Sequence, residues 1–150
     1  MHYDVDYFIR KFAAIPEEMY TVGTLGYPGG PRCANGHCMG HPDLNDRYTE
    51  EGAALYRVFQ PLRVHRYENG SEITNEERNS AGRYCFKADR INNGLTREYR
   101  QSSPKQRILA ALRDIKKLQQ PERLNAVGEK EVYVVVAPSI TKQAQEIVLS

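Results

Sequence analysis

The sequence predicts an α+β fold, a single domain with a small sheet packed by amphipathic helices, and three observations carry that expectation. Apolar residues recur at helical spacing in "VDYFIRKF", "TEEGAALYRVFQPL" and "SSPKQRILAALRDIKKL". Two further stretches, "RYCFKADRINNG" and "EVYVVVAP", read as strands. The whole is 150 residues long and 40% hydrophobic, enough for one core.

The elements follow in chain order. Asp4 or Asp6 caps the first helix, whose Val5, Phe8, Ile9 and Phe12 share a face. Ile15-Pro16 ends it, because the residue before proline is driven out of the helical region. Residues 21–32 hold four glycines and two prolines and form a loop or hairpin. A short helix begins at or just after Cys33, since Pro31 suits a helix start, and Gly36 and Gly40 keep it short or permit close packing. Thr49 caps the next helix, with Glu50 and Glu51 at the positive end of its dipole and Leu55, Val58 and Phe59 buried. The polar stretch 66–82, with its Asn-Gly, is expected to be a mobile loop.

From Tyr84 the pattern alternates, placing Tyr84, Phe86 and Ala88 on one face of a strand that stops at Asn92-Asn93-Gly94. Ser103 then caps the strongest helix, with Pro104 in the first position and Gln106 completing a capping box. Ile108, Leu109, Leu112 and Ile115 form its buried stripe. Lys105, Arg113, Lys116 and Lys117 fall within about 120° beside it, at about 100° per residue. Residues 131–138 make a continuous apolar strand, and Ser139 caps a last helix, so that 131–150 form a C-terminal strand and helix.

Composition narrows the function classes. No run reaches the roughly 18 apolar residues of a membrane span, and "MHYDVDYFIRKF" lacks the order of a signal peptide. The expected location is therefore cytoplasmic. Net charge is +2, which argues against a dedicated nucleic-acid binder, although residues 97–130 carry nine Lys or Arg against four Asp or Glu. Three cysteines are too few for a disulfide scaffold. No phosphate-loop pattern is present.

"RCANGHCMGH" concentrates the chemistry, and three readings stay open. Cys33, His37, Cys38 and His41 are zinc-type ligands, but all lie within nine residues, so closing a tetrahedron would draw on Cys85, His65 or His2. Alternatively, Cys33 at a helix start beside Arg32 is an activated nucleophile, with His37, His41 or His65 as base. Otherwise Cys33 and Met39 are core and the histidines its polar rim.

"RCANGHCMG", "ALYRVF", "ADRINNG" and "SPKQRILAALRDIKKL" together resemble an uncharacterised family of bacterial and phage proteins. That family shows an Arg-Cys-Ala-Leu-Gly-His-like motif, an Ile-Asn-Asp-Gly turn and a Thr-Pro-Lys-x-Arg-Ile-Leu-x-Ala-Leu-Arg-Asp-Ile helix. The resemblance spans about residues 4–118. Asn35 stands where the family has Leu, and Asn93 where it has Asp. The matching Arg32, Cys33, His37, Asn92, Lys105 and Arg107 admit two explanations. One is architectural: a positive φ at Gly94, Asn92 bonded to its turn, Arg107 paired with a carboxylate. The other is an anion pocket formed by helix N-termini at Cys33 and Pro104, lined by these six residues, with Tyr20, Tyr27 or Tyr84 stacking on a base.

The resulting expectation is a phage or prophage accessory protein in the host cytoplasm. It would bind a small anionic, nucleotide-like ligand and withhold it from host defence, needing no cofactor unless the cysteine cluster holds zinc. The alternatives are a Cys33-dependent hydrolase or transferase using His37, and an interaction module that inhibits a host protein. A homo-oligomer is compatible with each.

Overall fold

A computed structural model describes residues 2–27, 29–40, 49–76 and 84–120, and the backbone of 123–124 and 130–131. It is an α+β arrangement of five helices and short antiparallel pairs. Helix α1 (Val5–Ala14) starts where the Asp4 carboxylate accepts the Tyr7 N–H at 2.8 Å, and turns Val5, Phe8 and Phe12 inward. Helix α2 spans only Ala34–His37, and helix α3 (Glu50–Phe59) begins at Thr49, whose hydroxyl accepts the Gly52 N–H at 2.9 Å. Strands β1 (Val64–His65) and β2 (Glu72–Ile73) follow, then helices α4 (Phe86–Asn92) and α5 (Pro104–Leu118). Strands β3 (Arg123–Leu124) and β4 (Lys130–Glu131) pair with each other.

Helix α5 organises the core, lying against α1, α3 and α4. Its Ile108, Leu109, Leu112 and Ile115 are buried, as the helical spacing predicts. Fully buried Phe8, Phe12, Leu55, Phe59 and Leu112 each contribute about 1.5–3 kcal/mol. Ser103 Oγ accepts the Gln106 N–H at 3.2 Å, but the Gln106 side chain accepts from Ser102 Oγ at 3.0 Å, so the reciprocal half of the capping box goes to a neighbour. The basic flank is partly neutralised: Lys116 pairs with Asp6 of α1 at 2.7 Å, and Lys117 lies 3.7 Å from Asp114.

Two expectations are overturned. The stretch read as a strand ending at Asn-Asn-Gly is helix α4. The Cys85 thiol accepts the Ala88 N–H at 3.4 Å, and Cys85, Ala88 and Ile91 repeat every three residues on the buried side. Gly94 (φ +74°) ends this helix rather than a strand: its N–H bonds to Ile91 O at 3.1 Å and that of Leu95 to Arg90 O at 2.9 Å, the bonding of a Schellman cap. Phe86 and Ala88 are both buried, which also suits a strand's period of two, and the glycine signal is shared by both endings.

The second concerns the expected loop 66–82. Its first half belongs to a hairpin, with Val64 opposite Ile73 and His65 opposite Glu72 across a turn at Asn69-Gly70 (φ +73°). On its other edge β1 continues into residues 95–97, where Tyr67 N–H bonds to Leu95 O and Arg97 N–H to His65 O, both at 3.0 Å. Residues 77–82 of that expected loop lie outside the described residues, as do His41 and nearly all of the C-terminal strand and helix expected over 131–150. Among the described residues, no helix is long and apolar enough to cross a membrane.

Candidate functional site

Several residues singled out in the sequence, Asn92, Arg107 and the start of α2, meet in the interior. Asn92, fully buried at the end of α4, accepts the Ala34 N–H at 3.1 Å and donates to Thr21 O at 2.9 Å. Asn35 of α2 returns the bond, donating to Cys85 O at 2.9 Å and accepting the Cys85 N–H at 3.1 Å. Helices α2 and α4 are therefore tied by two buried amides, each of which satisfies backbone groups that a helix end leaves open. The polar Asn35, where the resembling family has Leu, is a structural amide here.

The cations in this region close helix C-termini. Arg107 donates to Ile91 O at 3.0 Å, Asn92 O at 2.7 Å and Gln101 O at 2.7 Å. Its partners are carbonyls rather than the carboxylate expected of an architectural arginine. Arg32 Nη1 lies 3.2 Å from Gly36 O, 3.2 Å from Met39 O and 3.3 Å from Gly40 O, at the end of α2. Lys87, also buried, donates to Gln60 O at 2.8 Å and Leu62 O at 2.7 Å, just beyond α3. Each cation meets the negative end of a helix dipole.

These assignments restrict the chemistry. At the start of α2, Cys33 Sγ accepts the Gly36 N–H at 3.4 Å, so the thiol and Asn92 take up donors that an anion would use. Burial pushes the Cys33 thiol up to about 11 and Cys85 up to about 12, and raises Cys38 further, opposite to the shift an activated nucleophile needs. His37 Nε2 donates to Met19 O at 2.8 Å, its ring edge meets Tyr20, and burial holds its pKa below the usual value. No three His, Cys, Asp or Glu side chains among the described residues gather as a metal site, so Cys33, His37 and Cys38 are not assembled as ligands. At α5, Ser103 Oγ donates to the Glu17 carboxylate at 3.0 Å, which sets an acid at that N-terminus. Lys105 there makes no hydrogen bond or ion pair among the described residues. Tyr20 is buried with its hydroxyl on Phe12 O at 2.6 Å, and Tyr84 packs its edge on Phe86, whereas Tyr27 is exposed.

The outward side of the small sheet differs in kind. Alternation turns Val64, Ile73 and Thr96 inward and leaves Arg63, His65 and Tyr67 on the outer face of β1 and its continuation, with Glu72, Leu95 and Arg97 beside them. Arg63 pairs with Glu72 at 2.8 Å. Glu98, its side chain 4% exposed, accepts the His65 N–H at 3.0 Å and faces His65 Nδ1 at 2.7 Å. Nδ1 therefore carries the proton, and Nε2 takes no hydrogen bond among the described residues. The Arg100 guanidinium lies 4.5 Å from the centre of the Tyr67 ring, which is 50% exposed. Arg97 packs its guanidinium over Gly70, and neither Arg97 nor Arg100 has a carboxylate within ion-pair distance among the described residues.

Of this face, sequence reasoning named only His65. The alternation of "RVHRY" (residues 63–67) ahead of Asn69-Gly70 is the signal that would have found the strand. The pairing with "REYR" (97–100) is long-range and left no local mark. No protein-family model matches the chain, and no curated protein or solved structure matches it.

Proposed function

We propose that this protein is a phage- or prophage-type accessory protein that binds an anionic, nucleotide-like ligand in the host cytoplasm, on the outer face of the small sheet. The phage setting rests on the resemblance of residues 4–118. The ligand class rests on one observation: an exposed Tyr67 ring with the Arg100 guanidinium against it and Arg97 nearby, neither arginine compensated by a carboxylate among the described residues. An aromatic ring beside guanidinium groups suits a base and a phosphate together. Arg32 and Arg107 are poorer candidates for the same task, because each guanidinium already serves three carbonyls, whereas that of Arg100 serves one. Withholding such a ligand from the host is the role this reading assigns.

Native mass spectrometry against a panel of nucleotides and cyclic nucleotides tests it. The expected result is a nucleotide-sized adduct that Arg100→Ala removes and Lys105→Ala leaves in place. The reverse pattern would return the site to the start of α5. A bare mass with every nucleotide, together with a co-purifying host protein, would replace this reading with that of an interaction module.

A further inference from the structure

We infer that the partner of this face is a single strand of nucleic acid rather than a free nucleotide; this rests on the functional reading above. Arg63, His65 and Tyr67 alternate along the chain from just before β1 to the start of the turn that follows it, and so span up to about 13 Å at about 3.3 Å per residue. One phosphate and one base would occupy only the Tyr67 end of that span. A strand running along it would also meet the Nε2 of His65, which takes no hydrogen bond among the described residues and can serve a base edge.

Charge is distributed to match. Arg63 is offset by Glu72, and Glu98 is committed to His65, so the uncompensated arginines, Arg97 and Arg100, lie at the Tyr67 end. The Glu68 side chain is exposed in the turn beyond Tyr67, which sets an acidic limit on that side. The net charge of +2 conceals this local arrangement, because acids elsewhere in the chain cancel it in the sum. Stacking on an exposed ring with flanking guanidinium groups is the way proteins hold unpaired bases without reading their sequence. A duplex presents no free base face to Tyr67, so the same surface disfavours it.

Fluorescence anisotropy with labelled oligothymidylates of about 4 to 16 nucleotides, at about 50 mM salt, tests the inference. Affinity should rise with length to a plateau and fall steeply as salt is added. Tyr67→Ala, and Arg97→Ala combined with Arg100→Ala, should each weaken binding about tenfold or more, while Tyr67→Phe retains it. All these positions are exposed, so thermal melts of the variants should match the parent and exclude unfolding as the cause. Nucleotide binding with no gain from length would overturn the single-strand inference and leave the functional reading standing. Equal affinity for duplex, no oligonucleotide binding, or indifference to both Tyr67→Ala and the double arginine variant would also overturn it.

Discussion

The polar lattice between α2, α4 and α5 and the outer face of the small sheet use similar residues for opposite ends. Both contain arginine and histidine, and both contain a side chain that bonds a neighbouring backbone. In the lattice the arginines end on carbonyls and the asparagines on peptide groups. On the sheet, Arg100 commits only its Nε to a carbonyl, Arg97 O at 3.1 Å, and lays its guanidinium on an aromatic face, while Arg97 lies on a glycine turn. The difference teaches that a cation next to a helix says little about ligands until its acceptor is known. Helix C-termini compete for cations as effectively as anions do.

The strongest way to break this contrast is Arg107→Ala. It removes the donor of the buried Asn92 O and of Gln101 O, while Ile91 O keeps the Gly94 N–H, and a buried group left unsatisfied costs about 1–3 kcal/mol, so a loss of about 2 kcal/mol or more is expected in urea unfolding. Arg107→Lys should recover only part, because an ammonium lacks the planar fork that reaches carbonyls on two segments. A loss well under about 1 kcal/mol would mean that these carbonyls are satisfied without the guanidinium, and Arg107 would return to the ligand candidates.

Next in size is Gly36→Ala. A Cβ at Gly36 would sit 1.9 Å from Leu25 O, and that oxygen also accepts the Cys33 N–H at 3.3 Å, so it cannot retreat freely. Overpacking of this kind costs about 1–3 kcal/mol. A variant as stable as the parent would show that the approach of residues 21–32 to α2 is loose, and that the start of α2 is open to a ligand after all.

The helices were legible because their caps and stripes are local. Asp4, Thr49 and Ser103 all cap where the sequence places them, and Phe8, Leu55 and Leu112 are buried as their spacing requires. The α4 error came from a segment too short for periodicity to decide, ended by a glycine that closes helices and strands alike. Of the residues of the resembling motif, the structure joins Asn92, Arg107 and the start of α2 through hydrogen bonds, while Lys105 makes none among the described residues. The direction of these bonds was not legible, since an acceptor fifty residues away, such as Cys85 O for Asn35, leaves no trace beside the donor. The sheet face was missed for the same reason.

The thiols give a smaller, pH-dependent contrast. Burial raises Cys33 to about 11 and Cys85 to about 12 from an ordinary value near 9, so above pH 9 the unfolded chain releases protons that the folded chain keeps. Folding stability should therefore fall as pH rises from about 9 towards 11. Tyr20, Tyr84 and Tyr99, raised chiefly by burial, act in the same direction. Urea midpoints measured on both sides of pH 9 check this. In the same protein, iodoacetamide at neutral pH should label none of the three cysteines quickly until the chain unfolds, and rapid labelling of Cys33 alone would restore the nucleophile reading.

Thr96→Val carries the smallest effect and has the opposite sign. Thr96 lies under the outer face, fully buried, and its hydroxyl has no hydrogen-bond partner among the described residues. Valine keeps the branched shape that suits an extended segment and removes the unsatisfied group, so a gain of about 1 kcal/mol is expected. The gain would separate the two sides of the sheet, since an inward substitution that stabilises the fold should leave ligand binding at Tyr67 and Arg100 unchanged. A loss of stability would mean that the hydroxyl is bonded in solution, by a buried water or by a shifted 95–97 segment. That segment carries Leu95 and Arg97 beside Tyr67, so its position bears directly on the binding face.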